Sequence, residues 1–336
     1  MTEATVRIRQ LTKIYHPSPG WMRLFVRSQI RREIVALDGI DLEVAPGEVC
    51  AIVGPNGAGK TTAFRILVGL TTPSSGEARV LGYDTHRQSV AVRREVGWMP
   101  AEDRSLFMRL TCAENLQFHG RLQGLRGNEL RRRITDTLEM VNLETAINNS
   151  VFSLSAGMRA RLQLARALLH QPRVLILDEP TGSIDPVAAH ALMNLIISIV
   201  EGQGLAALIS SHRLEDIEAI RNHVVLLHHG RILYEGNLDT LRARYERAQI
   251  EIDFRTSDAA QQAGGLIKRA ELADLLSLQE SQLRCALGPG VTTGDVLFHI
   301  NPVMGDILHL REARVPLRDL LAEMYQRSEG DGEDHR

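Results

Sequence analysis

Apolar residues are distributed in distinct patterns along the chain. Residues 5–11 alternate between apolar and polar, and residues 40–44 do the same just ahead of the turn Ala45-Pro46-Gly47-Glu48. Such alternation predicts strands of an antiparallel β region with one face buried. Further along, the runs become continuous at residues 48–53, 174–177 and 205–209. Continuous short runs suit strands of a parallel sheet covered on both faces. Helical periodicity occupies residues 128–141 and 159–169 between them. Buried strands alternating with helices predict an α/β core that gathers ligands at the C-terminal ends of its strands. After residue 237 the pattern changes to a charged helix at 238–247, a strand at 250–254 and a mixed α/β pattern to 326. The expected organisation is a large unit over 1–236, a small α/β domain over 237–327 and a disordered acidic tail over 328–336.

Composition narrows the function. In 336 residues, 44% are hydrophobic and 24% charged, the balance of a globular α/β chain. A formal net charge of −2 gives no overall attraction to nucleic acid or anionic lipid. Cys50, Cys112 and Cys285 lie far apart, without a C-x-x-C pair, which argues for buried reduced thiols over a zinc site or a disulfide framework. No run approaches the length of a spanning helix, and no signal-type region opens the sequence, so the chain is expected to stay in the cytosol. One local exception to the charge balance is the segment 21–32, where Arg23, Arg27 and Arg31 recur at i,i+4 spacing with Leu24 and Phe25 off that stripe. It is either a face turned to a bilayer surface or a solvated surface helix.

The chemistry begins at Gly54-Pro55-Asn56-Gly57-Ala58-Gly59-Lys60-Thr61, which fits G-x-x-x-x-G-K-[ST] at every fixed position and follows an apolar strand. Glycines let backbone N–H groups converge on phosphates, Lys60 reaches the terminal phosphate oxygens, and the Thr61 hydroxyl suits Mg²⁺. GTPases, kinases, helicases and transport ATPases all use such a loop. The strand at 174–177 ends in Asp178 and Glu179. Two carboxylates there suit a Mg²⁺ shell and a base that polarises the attacking water. No Asn-Lys-x-Asp segment for reading guanine is present.

Leu154-Ser155-Ala156-Gly157-Met158, just ahead of the helix that leads to Asp178, resembles the signature segment of ATP-binding cassette proteins. Ser155 and Gly157 match the family form Leu-Ser-Gly-Gly-Gln, whereas Ala156 and Met158 depart from it. Ser153 or Ser155 also suits the N-cap of the following helix. The resemblance continues in Ser183-Ile184-Asp185-Pro186, similar to the D-loop, in His212 after an apolar strand, similar to the switch histidine, and in Tyr15, where the family stacks a ring on adenine. A further departure is Ala101 after Pro100, where the family has Gln; either Glu102 takes over its contact with Mg²⁺, or the loop serves only the membrane partner.

The resemblance implies a P-loop cassette with a parallel-sheet core, an antiparallel β subdomain and a helical subdomain, followed by a small C-terminal α/β domain similar to that of exporter cassettes. It implies ATP and Mg²⁺ as ligands. Nucleotide contacts fall to Tyr15, Gly54 through Thr61, Thr62, Ser155, Gly157 and Asp185, metal contacts to Thr61, Asp178 and Glu102, and catalysis to Glu179, His212 and Lys60. The implied partners are permease subunits, met through residues 102–109, and a second cassette, identical or related, at the cytoplasmic face of the membrane. Rival classes are a soluble cassette ATPase acting on nucleic acid and a nucleotide-binding switch with little hydrolysis. Members of the first usually carry two cassettes or a long coiled-coil insert, and this sequence has neither, nor a strong basic stripe outside 23–32 and 131–133; the second is disfavoured by Glu179 and His212.

Overall fold

The computed structural model describes residues 4–17, 32–101, 105–182, 184–220, 222–245, 249–288 and 290–313, with a few positions between 317 and 325. The basic segment 21–31, Glu102, Ser183 and the tail 328–336 lie outside the described residues. The chain divides into two compact units, 1–238 and 239–336.

The first unit opens with β1 (Val6–Tyr15) and β2 (Ile34–Val44), paired antiparallel. Both run further than their alternation indicates, because register shifts after Ile8 and Leu11 break the two-residue period while the ladder continues to Tyr15 and Ile34. Next come β3 (Val49–Val53) and α1 (Lys60–Leu67), then β4 (Ser75–Val80) and β5 (Tyr83–Asp84), which complete a four-stranded sheet in the order β2-β1-β4-β5.

After α2 (Ser89–Glu95) and β6 (Val96–Met99), a helical segment follows with α3 (Cys112–Leu122), α4 (Gly127–Met140) and α5 (Ala156–Leu168). α3 starts at a capping box in which Thr111 and Glu114 satisfy each other's backbone N–H groups. Leu116, Leu130, Ile134, Leu138 and Leu162 bury the inner faces of these helices. Fully buried Asn115 ties the loop before α3, accepting from Phe107 N at 2.8 Å and donating to Thr111 O at 2.9 Å.

The chain then lays down β7 (Val174–Asp178), α6 (Pro186–Gln203), β8 (Ala206–Ser211), α7 (Leu214–Ala219), β9 (His223–His228) and β10 (Arg231–Gly236). They form a six-stranded sheet ordered β10-β9-β3-β8-β7-β6, parallel except for β10. Every residue of β7, β8 and β9 is buried, as continuous apolar runs demand. Ile52, Ile176, Leu208 and Val225 share one core with Phe64 and Leu67 of α1, and Trp98 meets Phe64 edge-on at 6.2 Å. β3, β7 and β8 all end on the same side, which is where Lys60, Asp178 and Ser211 begin the turns and helices that follow.

α8 (Leu238–Tyr245) leads into the second unit. There β11 (Gln249–Phe254), α9 (Ser257–Arg269), β12 (Ala273–Gln279), β13 (Gln282–Leu287), α10 (Thr293–His299) and β14 (Ile307–Ala313) build an antiparallel sheet ordered β12-β13-β11-β14. Ala260, Ala263 and Ile267 of α9 pack on Ile250, Ile252, Leu283 and Cys285. All three cysteines are buried free thiols. Among the described residues no helix is long and apolar enough to cross a membrane.

One buried polar cluster sits at the end of the six-stranded sheet away from Lys60. His223, 8% exposed at the start of β9, lies with Nδ1 2.9 Å from Glu48 and Nε2 3.2 Å from Glu235, beside Cys50. Burial works against its charge, but the hydrogen bonds to Cys50 and Glu235 and the nearby Glu48 carboxylate outweigh it and hold the imidazolium pKa well above the ordinary histidine range. The folded value lies above the ordinary histidine value of about 6.5. The stabilisation is therefore complete below about pH 6.5 and fades as pH rises toward the folded value. Thermal unfolding between pH 7 and 10 should show stability falling with pH, and His223→Gln should remove most of that slope; equal slopes would mean that His223 carries no charge in the fold.

Candidate active site

The loop between β3 and α1 is pressed so closely against its surroundings that only glycine fits at two positions. A Cβ on Gly54 would lie 2.1 Å from the Leu227 carbonyl oxygen. Gly59 has φ +111°, and a Cβ there would lie 2.4 Å from the Ala36 oxygen. Gly59 is the N-cap of α1 and offers no side chain, so the first-turn N–H groups of α1 have no side-chain cap. Lys60, 5% exposed, curls back into this turn and donates to Gly54 O at 2.7 Å and Pro55 O at 3.2 Å. Burial pulls its pKa down, while the Glu179 and Asp178 charges pull it up, with burial the larger effect. A buried ammonium, uncapped helix amides and a turn that excludes side chains fit a polyphosphate.

The carboxylates at the end of β7 face this turn. Asp178, 1% exposed, accepts from Thr61 Oγ1 at 2.8 Å through Oδ2 and from Ser210 Oγ at 2.6 Å through Oδ1. A hydroxyl and a carboxylate so close make an oxygen donor pair that fits Mg²⁺, which takes its other ligands from water and phosphate. Glu179 adopts φ 50°, a left-handed conformation that non-glycine residues rarely occupy. Its N–H is held by Ser210, donating to Oγ at 2.9 Å and to the carbonyl oxygen at 3.2 Å. Its side chain then lies between two groups, with Oε1 3.8 Å from Lys60 Nζ and Oε2 3.2 Å from His212 Nδ1. His212, half exposed, is steadied by the turn beneath it. There Ser211 donates to Asp216 at 2.7 Å and accepts from Arg213 N at 2.9 Å, and buried Asp216 also accepts from Thr181.

The structure thus brings Lys60, Thr61, Asp178, Glu179 and His212 together, with Gly54, Pro55, Asn56, Gly57, Ala58, Gly59 and Thr62 forming or flanking the turn. Tyr15 pairs in register with Ile34, two residues from Ala36, whose oxygen abuts Gly59; its ring lies 5.0 Å beneath Lys13 Nζ. Ser155, Gly157 and Asp185 form a separate group. Ser155 caps α5 by accepting from Met158 N at 3.2 Å, and Asp185 caps α6 by accepting from Ala188 N at 2.9 Å. The two helix starts abut where Gly157 meets Ala188. Among the described residues no hydrogen bond joins this group to Lys60, Asp178 or Glu179. Ala101 follows β6 at the edge of the Glu179 cluster; Glu102 lies outside the described residues. Ser210 went unread in the sequence. Its signal was a hydroxyl ending an otherwise apolar strand beside His212, where a buried polar group needs partners.

Residues 37–182 match the family model described as ABC transporter. The ATP-binding protein NatA of Bacillus subtilis is 36% identical over 64% of this chain and 87% of its own length. The chain belongs to the ABC transporter family. It is the ATP-binding, ATP-hydrolysing subunit of such a transporter. The daunorubicin resistance ATP-binding protein DrrA3 of Streptomyces coeruleorubidus is 33% identical over 85% of this chain and 86% of its own. Among solved structures, a dimeric ATP-binding cassette in a post-hydrolysis state with ADP and Pi is 25% identical, with a TM-score of 0.59 over 69% of this chain and 98% of that one. The cassette cbiO1 of Clostridium perfringens, part of a transporter complex, reaches a TM-score of 0.62 at 25% identity over 80% and 97%.

Within this ABC cassette, Ser210 joins Asp178 to the Glu179 backbone. Ser210→Ala leaves a buried carboxylate oxygen without its donor, so urea unfolding should show a loss of about 1–3 kcal/mol. An unchanged midpoint would show that Asp178 is satisfied without it.

Proposed function

We propose that two copies of this cassette close on two ATP molecules, and that closure drives export of a small molecule through separate permease subunits at the cytoplasmic face of the membrane. The observation that carries this reading is the placement of Glu179 between Lys60 and His212, above the Thr61–Asp178 pair. Phosphate oxygens replace the Gly54 and Pro55 carbonyls as acceptors for Lys60. Thr61 and Asp178 would hold Mg²⁺, which when bound would supply positive charge to offset that of the phosphates. Glu179 accepts a proton from the attacking water, and His212, in contact with Glu179, fixes its orientation and reaches the terminal phosphate.

The Ser155 group serves the opposite copy. One chain carries both an intact Lys60 turn and an exposed α5 N-terminus, whose amides and dipole favour an anion. Two copies facing each other head to tail would complete both sites, with Asp185 at the same seam. Tyr15 stacks on the base. A groove of about 860 Å³ between the core and the helical segment is lined by apolar residues such as Leu70, Trp98 and Leu122 and by the cationic Arg93, Arg94 and Arg166. Such a lining suits a permease segment that carries both apolar and acidic side chains, with Phe107 and Met108 as further exposed apolar residues of the same unit. Export follows from relatives named for resistance and export, DrrA3 and the Nod factor export protein of Cupriavidus metallidurans.

Turnover by the full chain and by Glu179→Gln, with particle size measured in ATP and Mg²⁺, tests this. The variant should lose about 100-fold or more in kcat and accumulate as an ATP-bound dimer. A variant that hydrolyses at the wild-type rate, or a wild-type chain that binds ATP without turning it over, would contradict it.

A further inference from the structure

The mechanism leaves one wall of the Glu179 site unused. Beside Glu179 lies a cavity of about 450 Å³, bounded by Ala101 after β6, by Pro180 and Ile184 after β7, and by α5. Most of its lining is apolar or small. The polar side chains are Glu179, Arg159 and Gln163, the last two one turn apart on α5. Arg159 is engaged, donating to Leu154 O at 2.5 Å. Gln163 is half-buried, and among the described residues its carboxamide has no hydrogen-bond partner. Neither of its polar atoms is buried from solvent, so the carboxamide is free to turn toward a group that enters the cavity. Across the cavity Ala101 presents only a methyl group, so no side chain at that position competes for the space.

We propose that Gln163 is a positioning residue for hydrolysis: its carboxamide reaches across this cavity to orient Glu179 and the water that Glu179 polarises. A carboxamide can donate to the carboxylate and accept from the water while adding no charge beside the phosphates, which a carboxylate in its place would do. Its seat on a helix gives the group a fixed approach. α5 also starts at Ser155, so any shift of this helix against β6 and β7 changes the fill of the cavity. The inference rests on the hydrolysis reading above.

The test compares steady-state hydrolysis of MgATP by the full chain carrying Gln163→Ala, Gln163→Glu, and Gln163→Ala combined with Ala101→Gln, with Glu179→Gln as the inactive reference. Gln163→Ala should lower kcat about 10- to 100-fold with KM and the melting temperature little changed. Because Ala101 faces the same cavity, Ala101→Gln in the double variant should recover most of the lost kcat. Gln163→Glu keeps the shape but places a negative charge by Glu179, so the acid limb of its pH–rate profile should move to higher pH. A Gln163→Ala kcat within about twofold of wild type would overturn the proposal, as would a loss that Ala101→Gln does not recover. Absence of turnover in the wild-type chain would instead remove the hydrolysis reading on which it stands.

Discussion

Two carboxylates and an ammonium converge at the end of an apolar sheet, where any one of them alone would be costly. Asp178 is buried because two hydroxyls, of Thr61 and Ser210, donate to it. Lys60 is buried because its own loop offers carbonyls. Glu179 is held in a left-handed backbone conformation by Ser210 and lies within reach of both Lys60 and His212. These requirements fix the rest of the architecture. β3, β7 and β8 must run parallel and end on one side, and the loop after β3 must lie so close to β2 and β9 that Gly54 and Gly59 have no room for a side chain.

Much of this was legible in the sequence because the signals were local. The continuous apolar runs at β3, β7 and β8 announced buried parallel strands, and the Gly54–Thr61 pattern carries its own geometry. The motif residues gave the family. Elements with mixed or short patterns were not read. β4 opens with three exposed residues and β5 has only two residues, and β1 and β2 contain register shifts that erase the alternation on which strand reading depends. Ser210 and Asp216 were not read as site residues, because their meaning lies in contacts across 32 and 35 positions of chain that no spacing rule spans. Glu102, weighed as a stand-in beside Ala101, lies outside the described residues.

The second unit is of another kind. Its antiparallel sheet and α9 close their own core. The match to DrrA3 extends over 85% of this chain, so the likeness to a resistance cassette is not confined to the ATP-binding unit.

The central claim is that each ATP site is completed by the Ser155 group of a second copy, since within one chain that group makes no hydrogen bond to the Lys60 cluster among the described residues. Mixing chains that carry Asn56→Cys with chains that carry Ser155→Cys, and adding a short bifunctional thiol reagent with and without ATP, measures it directly. The account predicts a cross-linked dimer of the two variants that forms with ATP and not without it. Equal cross-linking in the absence of ATP, or none with ATP bound, would contradict it.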